Sequence, residues 1–378
     1  MYDIAVIGGG PAGTAAAISA ARTGSAVLLL ERGGFPRQKV CGEFVSAESL
    51  ELLSSLLLES DIKLLKDAVR ISSTRIFVDG RMLTAAVEPP AASIARLELD
   101  SALWRAVQSA GADVRERTPV TAITGEGPFV VATAAGDFKA ESVINATGRW
   151  SNLSRPADVT SQNGSRGNGS NNGSFQREKW IGLKGHFEES LPSQSVDLYF
   201  FEGGYCGVQP VRLRDDDEHC GRINACAMVR ADVASQLEDV FSLSEPLRER
   251  SAGWRSLMEP VTTSPLIFRT PECVRNGIFL AGDAAGFVDP FVGDGISLAL
   301  RSGTLAAQVL VDALRHQESL ESAAASYYTS YEENFGRVFR SSSRIRRLLA
   351  MPNPIRRMAI AAAQASPTVL RFAVRATR

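Results

Sequence analysis

The chain opens on an apolar run, Ile4-Ala5-Val6-Ile7, that reads as a strand. An Ala-rich stretch, Thr14–Thr23, follows with helical character, and Ala26–Leu30 returns to strand-like apolar residues. That alternation predicts an α/β unit. From about Trp180 to Val229 the pattern changes to short alternating stretches bounded by Gly, which suits an antiparallel sheet. Between the two regions, Thr160–Ser174 holds only Thr, Ser, Gln, Asn and Gly apart from Arg166. Such a segment cannot bury apolar surface and is expected to be a flexible surface loop. No internal repeat is visible, and no stretch approaches the ~20 apolar residues needed to cross a bilayer. The first residues also lack the basic region of a signal peptide, so the expected location is cytoplasmic.

With 378 residues the chain can form two or three units around a large core. Lys plus Arg number 41 and Asp plus Glu 42, a balance that argues against a nucleic-acid-coating protein. The balance hides an asymmetry. Arg337–Arg378 carries ten arginines and no acidic residue; taking ten from 41 leaves 31 basic groups against 42 acidic ones before it. Five cysteines (41, 206, 220, 226 and 273) are odd in number and form no Cys-x-x-Cys pair, which speaks against a disulfide framework or a zinc site.

Candidate chemistry begins at Gly8-Gly9-Gly10-Pro11-Ala12-Gly13, set between the first strand and the first helix. In that context each glycine answers a physical need. Gly8 allows the tight turn, Gly10 the close approach of a pyrophosphate, and Gly13 the packing of helix on strand. The helix start, with Pro11 and Ala12, offers free N–H groups and a positive dipole end to an anion. Glu31, followed by Arg32, closes the next strand 18 residues past Gly13 and can accept hydrogen bonds from a ribose.

This loop does not separate FAD from NAD. Ile278-Phe279-Leu280-Ala281-Gly282-Asp283, far downstream, resembles the second fingerprint of the flavoprotein hydroxylase and geranylgeranyl reductase superfamily. The resemblance implies FAD, with Asp283 holding its ribityl chain. The continuation Val292-Gly293-Asp294-Gly295-Ile296 also looks like the family, where this turn starts a helix aimed at the flavin, a dipole suited to the anionic reduced ring. Smaller matches imply further cofactor contacts at Arg96, at Val120, and at Ala146-Thr147-Gly148. An Arg96 paired simply with a carboxylate is the bland alternative.

Arg37-Gln38-Lys39-Val40-Cys41-Gly42-Glu43 resembles the Lys-x-Cys-Gly segment of geranylgeranyl reductase-like enzymes. The likeness places Lys39, Cys41 and Gly42 beside the flavin and makes Cys41 a candidate for positioning substrate or relaying a proton. Glu43 stands where the isoprenoid reductases have a second Gly, which changes the polarity of the wall. Tyr199–Pro210 matches those enzymes' Tyr-x-Trp-x-Phe block incompletely, with Gly207 in place of the Trp, and leaves Tyr205 and Cys206 as candidate cavity-lining catalytic groups. Flavin halogenases carry Trp-x-Trp-x-Ile-Pro, whereas no two of Trp104, Trp150, Trp180 and Trp254 stand two apart. The three histidines (186, 219 and 316) show no ligand spacing, and Asp215–Glu218 reads as a solvated acidic turn, so no metal is assigned.

The expected fold is α/β: a Rossmann-type FAD-binding domain (1–75, 95–155 and 265–335) with an inserted β-rich substrate domain (76–94 and 176–264). A flexible loop (156–175) and a basic helical C-terminus (336–378) complete it. The expected activity is FAD-dependent reduction of a C=C bond in an apolar or polyketide/isoprenoid-like small molecule. An aromatic hydroxylase, and a membrane-associated FAD-binding protein without turnover, are the alternatives. No second dinucleotide loop is present, so NAD(P)H visiting transiently, or a partner reductase, would supply electrons. The basic tail mixes Arg with apolar residues at helical spacing, as in helices that lie on anionic membranes, or else it packs on the acidic body.

Overall fold

The computed structural model describes residues 1–149, 153, 179–216, 221–349 and 351. The predicted loop over 156–175 and the tail beyond Met351 lie outside these residues, as do Trp150, His219 and Cys220.

Two sheets carry the molecule. The first has strand order Val274–Arg275, Ile278–Leu280, Gly136–Asn145, Tyr2–Ile7, Val27–Leu30, Asp113–Arg115. Tyr2–Ile7 runs parallel to both neighbours, with Ile4 opposite Val27 on one side and Ser142 on the other. The hairpin of Val120–Thr124 and Phe129–Thr133 joins this sheet through Gly136–Asn145. The helix Pro11–Ala21 is buried almost all round because Ala and Gly leave room for close neighbours: a Cβ on Gly303 of the helix Gly295–His316 would lie 2.0 Å from the Ala12 carbonyl oxygen. The apolar centre of this half runs from Ile4–Ile7 through Leu28–Leu30 to Leu300, Leu310 and Tyr327.

The second sheet has nine strands and is largely antiparallel. Trp180–Glu188 pairs with Arg222–Arg230, which pairs with Gly204–Pro210. Its other half contains Val69–Val78, Arg81–Ser93 and the short Phe44–Val45. The chain first enters this sheet at Phe44–Val45 and returns to it at Val69–Val78, one continuous strand paired with Arg81–Ser93. The C-terminal helix also begins earlier than the charge pattern suggests, as a single element, Leu320–Leu349. Among the described residues no helix is long and apolar enough to cross a membrane.

Candidate active site

The glycine loop fixes one end of a cavity of about 770 Å³. Gly8 has φ +107°, and a Cβ there would meet the Ala146 carbonyl oxygen at 2.5 Å; one on Gly13 would sit 1.8 Å from the Gly8 oxygen. A Cβ on Gly10 meets no protein atom within 4 Å. Two glycines therefore close the turn, and the third leaves open space in front of the helix N-terminus. Glu31 is buried beside this space, where its carboxylate accepts N–H bonds from Gly9 and Gly33, both at 2.7 Å. Arg37 adds two more at 2.6 and 3.0 Å. Burial alone would raise the Glu31 pKa, but these donors bring it down to about 2.

From the loop the cavity runs past Arg32, Val120, Ala146, Thr147 and Gly148 to Gly282 and Asp283, and then to Gly293, Gly295 and Ile296 at the start of the Gly295–His316 helix. Lys39, Cys41, Gly42 and Arg96 form its side. Burial, reinforced by the Arg37 and Arg96 charges, pushes the Lys39 ammonium down to about 8. Arg96 lines the cavity and holds Asp100 through two bonds of 2.7 Å. Burial raises the Asp283 carboxyl, with the Arg149 and Arg96 charges opposing.

The far end lies against the second sheet. Tyr205, Met228, Leu266 and Phe287 make an apolar wall backed by Phe200 and Phe291. The Tyr205 hydroxyl donates to Asp289 at 3.1 Å, and Arg346 of the last helix reaches the same carboxylate at 2.7 Å. Arg346 also stacks 3.2 Å above the Phe268 ring, which ties the C-terminal helix to this wall.

A family model described as FAD binding domain matches residues 1–334. The chain belongs to the FAD binding domain family. Among curated proteins it is 27% identical over 355 residues to digeranylgeranylglycerophospholipid reductase 2 of Methanopyrus kandleri, covering 90% of this chain and 84% of that one. It is 26% identical over 395 residues to menaquinone reductase of Mycolicibacterium smegmatis, covering 99% and 90%. A geranylgeranyl bacteriochlorophyll reductase-like structure from Thermoplasma acidophilum superposes with a TM-score of 0.77 at 22% identity, covering 99% and 94%. Halogenases of known structure share the fold as well. The protein is an FAD-dependent oxidoreductase.

The residues fit an FAD-binding domain. The pocket before Gly10 suits a pyrophosphate, with Arg37, Lys39 and Arg96 as nearby cations. Glu31 stands where it would take the ribose, although Arg37 already shares its carboxylate. Asp283 and the Gly293–Ile296 turn would hold the other end. Bound FAD supplies two-electron hydride transfer, and the chain supplies orientation and a water-poor wall.

Of the residues singled out in the sequence, two do not line the cavity. Gly13 packs under the loop. Cys206 is a correction: it lies in the core of the second sheet with Leu183, Val208 and Ala227, because it has the opposite strand parity to Tyr205. Burial pushes its thiol up to about 12. On the neighbouring strand it is Cys226 that lines the cavity, as Cys41 of the loop does. His186, assigned no role from the sequence, stands 2.8 Å from the buried Glu43 carboxylate. Neither pairing has a local sequence signal. Asp289 and Arg149 were within reach of the sequence, since each adjoins a stretch that resembles the family.

Proposed function

We propose that this protein reduces a C=C bond in an apolar, polyprenyl-type molecule, taking electrons from NAD(P)H or from a partner reductase. The observation that carries the reading is the continuous cavity: its polar end suits the cofactor, and its other end is the apolar wall of Tyr205, Met228, Leu266 and Phe287. The curated relatives named as reductases support it. Cys41 and Tyr205 would position the substrate; Tyr205 already has its hydroxyl fixed by Asp289. The test is product analysis after anaerobic turnover with polyprenyl and aromatic compounds: a gain of hydrogen across an olefin supports the reading, and an oxygenated product formed only in air overturns it.

A peripheral membrane contact belongs to the same proposal. Arg337, Arg340, Arg344 and Arg347 are exposed at helical spacing along one side of Leu320–Leu349. Such a stripe complements an anionic lipid surface, from which an apolar substrate would come.

A further inference from the structure

Reduction of an olefin needs a proton as well as a hydride, and the cavity wall contains a buried charge cluster with no role so far. Glu43, Lys184 and His186 are all fully buried. Glu43 closes the cavity-lining loop with φ +61°. Its Oε1 accepts from Lys184 Nζ at 2.5 Å and from the Arg96 backbone N–H at 2.8 Å, and its Oε2 faces His186 Nε2 at 2.8 Å. Lys184 also donates to Gln38 at 3.1 Å, and Gln38 lines the cavity. Lys184 and His186 share one face of their strand, pointing at the loop, while Leu183 and Phe187 fill the core behind. His186 Nδ1 is buried and has no partner.

Burying three ionisable groups is expensive, and a staple between loop and sheet needs only neutral hydrogen bonds. Burial would raise the Glu43 pKa, but the Lys184 charge and the His186 hydrogen bond carry it down to about 2, so the carboxylate stays ionised. Lys184 and Glu43 then cancel, which leaves His186 as the third member, on the other oxygen of the same carboxylate. The other charged or titratable groups around the cluster are the Arg96–Asp100 pair, Asp216 with its partner Arg222, and the Cys41 and Cys226 thiols. Two electrons added to a flavin in the same cavity bring negative charge into a water-poor space, which favours proton uptake by titratable groups around it, and Glu43, which lines the cavity, connects that space to His186.

We propose that Glu43, Lys184 and His186 form a redox-linked proton store, in which His186 gains a proton as the bound flavin is reduced and returns it by way of Glu43. The balance closes in the reductive step. The flavin's hydride forms one C–H bond, the π bond breaks, and its electron pair takes the His186 proton to form the second. The olefin is reduced, the flavin is oxidised, and the imidazole returns to neutral. The return step rests on the C=C reading, whereas proton uptake needs no substrate.

The test uses the wild-type holoprotein, whose three histidines make ring-nitrogen NMR tractable. Near neutral pH, His186 should carry one ring proton with oxidised flavin and two after anaerobic reduction by dithionite. Dye-measured uptake should exceed that of FAD-loaded His186→Asn by about one proton per flavin, as linkage requires. Glu43→Gln, which keeps the imidazole and removes its counterion, should abolish the change in ring protonation. An imidazole unchanged on reduction in the wild type overturns the proposal, whatever the variants do. If the imidazole responds but no olefin reoxidises the flavin, the store stands and the substrate reading fails.

Discussion

Gly10 and Gly13 share one loop and constrain different things. Gly10→Val should fold with the melting temperature of the flavin-free wild type, because its Cβ meets no protein atom within 4 Å, yet purify without flavin colour. Gly13→Val should instead lower the melting temperature itself, since its Cβ would sit 1.8 Å from the Gly8 oxygen. Absorbance per protein and thermal melts separate the two. Lys39 gives a pH prediction. Its ammonium is held at about 8 in the cofactor-free protein by burial and the Arg37 and Arg96 charges, and a bound pyrophosphate would raise it. FAD affinity should therefore fall as pH rises through about 8, because binding there must take up a proton. Titration by flavin fluorescence should show this fall in the wild type and not in Lys39→Met.

At the scale of elements, the strand Gly204–Pro210 turns Tyr205 to the cavity and Cys206 to the core. Cys206→Ser should lower stability by about 1–3 kcal/mol, the cost of a buried hydroxyl without an assured partner, and leave turnover per folded molecule alone. Tyr205→Phe should do the reverse: small thermal change, altered KM, because only the bond to Asp289 and the wall's polar tip are lost. Urea melts and steady-state kinetics check the pair. The same strand shows what the sequence could reveal. Alternation made the sheet legible, and the paired fingerprints made the first sheet, the glycine loop and the Gly282-Asp283 turn legible. Which parity faces the cavity was not legible, because it depends on how the second sheet packs on the first. Glu43 with His186 was hidden for a related reason: the two are 143 residues apart and meet only across two elements.

At the scale of the molecule a cavity lies between two sheets, and the helix Leu320–Leu349, which carries arginines both inward and outward, braces the outside of its apolar wall. Arg346 points in to Asp289, and Arg337, Arg340, Arg344 and Arg347 stay exposed. Binding of the holoprotein to vesicles containing anionic lipid should be strong at low salt and weaken over physiological ionic strength, where the Debye length is about 8 Å. Replacing the four outward arginines with Gln should lose most of it, on the order of 1 kcal/mol for each, while Arg346→Gln should leave vesicle binding and disturb the apolar wall. Flotation measures the first effect, and flavin spectra with KM the second.

On the proposed function, the apolar end of the cavity presents an olefin to reduced flavin. The most direct measurement is anaerobic stopped-flow mixing of the dithionite-reduced, desalted holoprotein with a polyprenyl quinone or polyprenyl lipid, following flavin absorbance. The oxidised flavin spectrum should reappear without oxygen, at a rate that rises with substrate and in step with saturation of one C=C bond per flavin. A flavin that stays reduced until air is admitted, and then yields a hydroxylated product, would contradict it.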